Sequence, residues 1–431
     1  MSECIRNIYA RQVLDSRGNP TIYTCVETDK NTGISFVPSG ASTGSREALE
    51  LRDSNPDIFN GKSVQKAVNN IKEILSPLLN GIDISKQKEI DALMIDKDGT
   101  ESKSSIGANA MLGVSMAAAR AGAKSKGLEL FEYIREAHSP SNDLFLLPNP
   151  MFNVLNGGSH AFNSTDFQEF MVVPSGIDNY EESLLCGFQI YNALKEILEK
   201  EKLPTTLGDE GGFAPPGLTN TDPLELLTKA TEKTNFKLGE QVKFALDVAA
   251  SEFYSENNYE LKSENKTVTS EGMIKIYEEL SKKYPIYSIE DGLSEDDWPG
   301  WKKMTSRIGD KLQLVGDDLY VTQKKYLKKG IDEKSGNSIL IKLNQVGTVS
   351  ETIETIKIAQ DNEFETIISH RSGETEDTFI ADLAVGTNST QIKSGAPARG
   401  ERINKYNRLL IIGDILKGKG LNNTHKTNSI R

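Results

Sequence analysis

Short apolar runs begin at Phe244, Ile286, Gln313, Ile339, Thr366 and Gln391, and after a first interval of 42 residues they recur at 27, 26, 27 and 25. Each interval also holds a stretch of helical spacing, Thr348–Gln360 being one. A strand followed by a helix at so regular a period marks successive βα units, and the rhythm predicts a parallel barrel. The ends of the runs sharpen this. FALDVAA carries Asp247, IYSIEDG carries Glu290 and Asp291, and QLVGDD carries Asp317 and Asp318. SILIKLNQ carries Lys342, TIISHRSG carries His370, Arg371 and Ser372, and QIKSG carries Lys393. In a (β/α)8 barrel the carboxyl ends of the strands face one mouth, so six consecutive charged ends predict one reactive rim. Strands also end on polar residues simply because they end at the surface. Lys342 speaks against that plainer reading, because it sits between Ile341 and Leu343 in an apolar run and requires acidic neighbours there.

The N-terminal third reads differently. Segments 5–13 and 20–28 alternate as strands around the turn Asp15-Ser16-Arg17-Gly18-Asn19-Pro20. Residues 61–79 show helical spacing, and an Ala-rich helix is predicted over about 107–126. Ser139-Pro140-Ser141-Asn142-Asp143 interrupts the periodicity, which predicts an α+β capping domain over 1–138 and a barrel over 139–431. A length of 431 residues with 37% apolar content suits that pairing.

Charge narrows the partners. A formal net charge of −12 argues against nucleic acid as the main ligand, so an anionic substrate needs a local cationic site. The three cysteines, Cys4, Cys25 and Cys186, form no pairing pattern, and MSECIRNIYARQ lacks an apolar signal core. No apolar run approaches the ~18–20 residues that span a bilayer. These features predict a cytoplasmic protein without a membrane span.

Around the rim the order is acid, acid, acid, base, arginine, base. Asp247, Glu290 and Asp317 lie on successive strands, and three hard carboxylates converging there call for a divalent cation, Mg2+ being the natural occupant. The alternative is an ion-pair network with Lys342, Arg371 and Lys393. Arg371 suits phosphate or carboxylate. Lys342, between metal and cation, is expected to have a lowered pKa that fits it for general-base duty. Lysine beside Mg2+ is a known pairing for removing a proton next to a carboxylate. Three further segments carry chemistry: Asn156-Gly157-Gly158-Ser159-His160-Ala161, Phe167-Gln168-Glu169-Phe170-Met171 and Leu207-Gly208-Asp209-Glu210-Gly211-Gly212. Glu169 and Glu210 together suit the donation of a proton to a departing hydroxide, one carboxylate raising the other's pKa. Taken singly, DEGG reads as a solvated turn and His160 as a loop histidine.

At these residues the chain resembles the enolase family over essentially its whole length. The resemblance rests on SGASTGSREALELRD (39–53), NGGSHAFN (156–163), QEFM (168–171), GDEGGFAP (208–215), SIEDGL (288–293), GDDL (316–319), IKLNQVGT (341–348), SHRSGETED (369–377) and KSGAPARGER (393–402). The spellings are most similar to bacterial-type enolases. The resemblance implies the interconversion of 2-phosphoglycerate and phosphoenolpyruvate, with two Mg2+ per active site. It implies an N-terminal α+β cap on a barrel with an irregular ββαα start. Asp247, Glu290 and Asp317 would hold one Mg2+ and Ser42 the second. Lys342 would be the base at C2, with Glu210, backed by Glu169, as the acid. Arg371 and Ser372 would bind phosphate and Lys393 the carboxylate, with His160 and His370 completing the pocket. It also implies a homodimer, or an octamer assembled from dimers. A paralogue acting on a related phosphonate acid, or a catalytically silent scaffold, are the competing expectations. Where the family writes a Glu and an Arg that pair across the dimer, this chain has Tyr23 and Ile411, predicting an apolar contact instead. The polar tail from Lys417 is expected to fray.

Overall fold

Ile5–Leu14 (β1), Pro20–Thr28 (β2) and Thr32–Phe36 (β3) form an antiparallel meander. Their alternation sends Ile8, Ala10, Ile22 and Val26 inward, while Tyr9, Tyr23 and Cys25 take the outer face. The first turn is closed by Asp15, whose carboxylate accepts the backbone N–H groups of Arg17 and Asn19 at 2.8 Å each. The predicted Ala-rich helix is Ala108–Ser125, laid across the inner face of this sheet. Small residues set that approach: a Cβ on Gly33 would stand 1.9 Å from the Ala117 carbonyl oxygen, and one on Gly113 2.5 Å from Thr24 Oγ1. The computed structural model describes residues 3–40, 44–139, 141–142, 144–160 and 163–420.

The helix expected over 61–79 begins only at Gln65 and runs to Leu79, with Ile71–Leu75 wound as a π segment. Its start is fixed by a distant acid. Asp53 accepts the N–H groups of Gln65 and Lys66 at 2.9 and 2.8 Å, so residues 61–64 remain outside the helix.

After the helix Leu130–His138 the chain crosses to the barrel. Its strands are Asn149–Asn156 (β4), Glu169–Val173 (β5) and Lys243–Asp247 (β6). A small antiparallel sheet follows, Tyr254–Ser255 (β7), Asn258–Leu261 (β8) and Lys266–Val268 (β9), and this insertion explains the long first interval of the sequence rhythm. The barrel resumes with Ile286–Glu290 (β10), Gln313–Gly316 (β11), Ser338–Ile341 (β12), Glu365–Ser369 (β13) and Gln391–Lys393 (β14). Eight strands close in the order β4-β5-β6-β10-β11-β12-β13-β14. Only β5 runs against its neighbours, and the helices Tyr180–Lys200 and Asp222–Glu232 precede β6, giving the irregular ββαα start. Beneath the rim, Met151, Met171, Val173, Ala245, Tyr287, Val315, Leu340 and Ile367 fill the interior, so the barrel is a packed core and not a pore.

Ion pairs fasten the cap to the barrel: Arg120 to Asp377 at 2.6 Å, Lys103 to Glu351 at 3.1 Å, and Arg371 to Glu47 at 3.0 Å. The fraying expected from Lys417 does not begin there. The helix Gly400–Gly418 continues past it, and Lys417 pairs with Glu181 at 2.9 Å; the tail from 421 lies outside the described residues. Among the described residues no helix is long and apolar enough to cross a membrane.

Candidate active site

A reversed strand presents its first residue at the rim where parallel strands present their last. That is how Glu169, at the start of β5, comes to lie opposite Asp247, at the end of β6. Glu290, the last residue of β10, pairs in register with Asp247 on its other side. Three carboxylates from adjacent strands thus line up. Lys393, at the end of β14, reaches across the mouth to all of them: its Nζ lies 2.8 Å from Asp247 Oδ2, 2.8 Å from Glu290 Oε2 and 3.2 Å from Glu169 Oε2. Burial alone would pull this ammonium down, but Asp247, Glu169 and Glu290 together hold it well above its ordinary value.

Lys342 follows β12 directly, as the strand-end pattern requires, and pairs with Asp317. The expected lowering of its pKa is not found. Burial does push it down, yet the adjoining Asp317 carboxylate outweighs that and raises it. Reciprocally, Asp317 is held below its usual value by Lys342 despite burial, and Gln345 donates to its other oxygen at 2.8 Å.

Glu210 stands in an irregular loop yet is only 3% exposed, so DEGG is no solvated turn. The loop is tied down by the Ala396 N–H donating to the Glu210 carbonyl at 2.9 Å. Glu210 Oε2 receives the Asn153 amide at 3.0 Å and lies 3.2 Å from His370 Nε2. Glu169 is raised well above the carboxylate range, first by burial and then by the charge of Glu210. One carboxylate thus raises the other, as expected of the pair. His370 is pulled down to about 4, first by burial, with Arg402 adding to it, so the imidazole stays neutral. Arg371 forks onto Glu47, at 3.0 and 3.2 Å, and donates to Asn344 at 3.0 Å.

Glu169, Glu210, Lys342, Arg371, Ser372 and Lys393 all border one cavity, together with Asp247, Asp317 and His370. Ser42 lies outside the described residues, as does the side chain of His160; the backbone of His160 closes a short 3-10 turn at Gly158–His160.

Which acids suit a cation is a matter of which oxygens are spoken for. Asp291, Asp317 and Asp318 bring oxygens within 4.8 Å of one another. Both oxygens of Asp291, however, accept backbone N–H groups, from Asp317 and Asp318 at 2.9 Å each. Asp291 is therefore a brace for the loop after β11, held at φ +40°. Glu290 keeps a buried Oε1 with no hydrogen-bond partner, and burial followed by Asp247 raises its pKa well above the usual range. An unpaired carboxylate oxygen among crowded acids is the condition that a hard divalent cation relieves; of the three predicted ligands Glu290 offers one, whereas Asp247 is paired with Lys393 and Asp317 with Lys342 and Gln345, so a cation there would displace those partners. Sequence reasoning missed the braces around this rim, Asp291, Glu47 and Gln345. Asp291 was visible only as one more charged strand end, and nothing in the sequence gave Glu47 or Gln345 a part in the rim.

The comparisons with known proteins agree along the whole chain. Residues 5–134 match the family described as the enolase N-terminal domain, and residues 144–429 the enolase C-terminal TIM barrel domain. The enolase of a Nitratiruptor species is 52% identical over 95% of this chain and 96% of its own. That of Natranaerobius thermophilus is 52% identical over 96% of each, and that of Sulfurimonas denitrificans 53% identical over 95% and 96%.

Proposed function

The chain belongs to the enolase family, hydro-lyases that interconvert 2-phosphoglycerate and phosphoenolpyruvate, and we propose that Lys342 and Glu210 divide this reaction between them. Lys342 takes the proton from C2. Glu210, with Glu169 behind it, delivers a proton to the hydroxyl leaving C3. The observation that carries this reading is that the Lys342 amine and the crowded Glu169 and Glu210 carboxyls border the same cavity, with Lys393 on Glu169. Burial and the charge of Glu210 raise the Glu169 carboxyl, the direction an acid requires. Arg371 and Ser372 are assigned to the phosphate. Binding there means that phosphate shares or replaces Glu47 on the guanidinium fork. Lys393 is assigned to the substrate carboxylate, with His160 and His370 completing the pocket. When bound, Mg2+ supplies the positive charge that the carboxylate needs as the carbon beside it loses its proton. Asp247, Glu290 and Asp317 are assigned to one such ion and Ser42 to a second.

Two substitutions test the division. Lys342→Ala should stop exchange of the C2 proton with solvent, while Glu210→Gln should preserve exchange and abolish the 240 nm absorbance rise of dehydration. Equal loss of exchange in both variants would refute it.

We place the division between cap and barrel near residue 138, in a cytoplasmic enzyme. The unpaired Cys4, Cys25 and Cys186 support a reducing compartment. We further infer a homodimer through the outer face of β1–β3. Tyr23 there packs its ring 6.3 Å from Tyr9 and 5.1 Å from Phe36, and Tyr9 and Ile34 are 44% and 39% exposed. Ile411, 52% exposed, is the apolar partner proposed for Tyr23 of a second copy. Ile411→Asp should raise the dimer dissociation constant in sedimentation; an unchanged constant would remove this contact from the interface.

A further inference from the structure

Arg402 lies in the first turn of Gly400–Gly418, wholly buried, and the reaction as assigned above gives it nothing to do. Its guanidinium is nevertheless aimed at the acid side of the site. Nη1 donates to the Arg371 carbonyl at 2.6 Å and lies 2.7 Å from His370 Nδ1. Nη2 donates to the Ser372 carbonyl at 2.6 Å and to the Asp209 carbonyl at 3.0 Å. One side chain thus ties the segment after β13 to the loop that carries Glu210.

The contact with His370 also settles a proton. A guanidinium is charged at every working pH and offers only N–H donors, so the ring nitrogen it meets must be an acceptor. A neutral imidazole with a bare Nδ1 carries its hydrogen on Nε2. That nitrogen is the one 3.2 Å from Glu210 Oε2. Glu374 is the other charge acting on the ring, besides Glu210 and Arg402.

We propose that Arg402 is a positioning residue that locks His370 as its Nε2–H tautomer, so that the imidazole donates to Glu210 when this carboxyl loses its proton. The inference rests on Glu210 being the acid. In the step concerned the Glu210 O–H bond breaks and its proton passes to the C3 oxygen. The electron pair left on C2 forms the C2=C3 double bond as the C3–O bond breaks, that bond's own pair leaving on the oxygen as water, and the negative charge left on Glu210 faces Nε2–H. In the hydration direction the same donor faces the carboxylate that accepts a proton from water. A hydrogen bond to a charged partner is the kind of interaction whose loss slows a step by roughly 10- to 100-fold.

The tautomer is measurable in the unaltered protein. With only four histidines, 15N-histidine labelling gives few imidazole signals, and the His370→Asn variant identifies the one in question. Expected are a protonated Nε2, an unprotonated Nδ1 and no titration between pH 8 and pH 5. A protonated Nδ1, or an imidazolium at neutral pH, overturns the proposal without any change to Arg402. Arg402→Lys, which cannot fork between carbonyl and ring, then tests the consequence. Dehydration should fall roughly 10- to 100-fold with KM nearly unchanged, while C2 proton exchange persists. Parallel loss of exchange and dehydration would mean that Arg402 only supports the Arg371–Ser372 segment, and would overturn the proposal. Should Glu210→Gln retain dehydration, it is the acid assignment that fails, and the NMR result on His370 stands apart from it.

Discussion

Asp377→Asn should loosen the joint between cap and barrel by about 3 kcal/mol, a value that follows from what the carboxylate holds. Its two oxygens receive Arg120 at 2.7 and 2.6 Å and the backbone N–H groups of Phe36 and Phe379 at 2.9 and 2.8 Å. Phe36 and Arg120 belong to the cap, Phe379 to the barrel. An amide keeps one acceptor and turns a donor towards groups that also donate. Breaking one side of a buried pair typically costs about 3–5 kcal/mol. The Arg120 side chain is 20% exposed and recovers some hydration, which places the expectation at the low end. The charge of Arg120 holds the Asp377 carboxyl below its ordinary value, although burial opposes this. A depressed folded pKa stabilises above the unfolded value and loses that contribution as pH falls through the folded one. The difference between wild type and variant should therefore be full above about pH 4 and shrink below it. Urea unfolding of Arg120→Met, Asp377→Asn and the double variant would isolate the pair, with a coupling energy of about 2 kcal/mol expected. A coupling below about 0.5 kcal/mol would show that the joint does not depend on this pair.

Three further outcomes are expected. Burial, helped by Arg135 and Lys357, pulls His138 down to about 4; the unfolded chain takes up the proton first, so stability should decline as pH falls from about 6.5 towards 4. His138→Leu should flatten that slope, and an unchanged slope would rule the residue out as its source. Phe213 is stacked on Tyr191 at 4.6 Å, and the Tyr191 hydroxyl donates to the Gly211 carbonyl at 2.7 Å, so the pair backs the Glu210 loop. Phe213→Ala should cost about 3–5 kcal/mol in denaturant unfolding and lower kcat more than KM; an unaltered kcat would detach the stack from the acid. Chelation with EDTA should abolish turnover and added Mg2+ restore it; undiminished activity in EDTA would dismiss the metal role given to Asp247, Glu290 and Asp317.

The barrel was legible because a parallel strand buried on both faces reads as an unbroken apolar run, and its end falls at the rim. β6 and β10 to β14 obey that rule, and Asp247, Asp317, Lys342, Ser369 and Lys393, at or just past the ends of β6 and β11 to β14, border the cavity. β5 breaks it. Its direction is reversed, so Glu169 stands before the apolar run and could not be placed at the rim by the strand-end rule. The sign of the Lys342 shift was beyond one-dimensional reading, because it depends on how close Asp317 comes compared with how deeply both are buried. The late start of the helix at Gln65 depends on Asp53, twelve residues upstream in a loop. Arg402 was invisible for a related reason: an arginine in RGER looks like a solvated helix start until the segment after β13 is folded against it.

The reversed strand has a consequence for how densely function is written along the chain. An ordinary repeat climbs to the rim once, and its return helix contributes nothing there. Between Asn156 and Glu169 the polypeptide arrives at the top and sets off downward again, Gly157 and Gly158 donating to the carbonyls of Gln168 and Thr165. A stretch half as long as one repeat therefore supplies a strand end, a loop and a strand start to the same opening. Elsewhere an inserted residue can be absorbed by a loop at the foot of the barrel. In this hairpin there is no remote half to absorb it, and any change of length is felt at the chemistry itself.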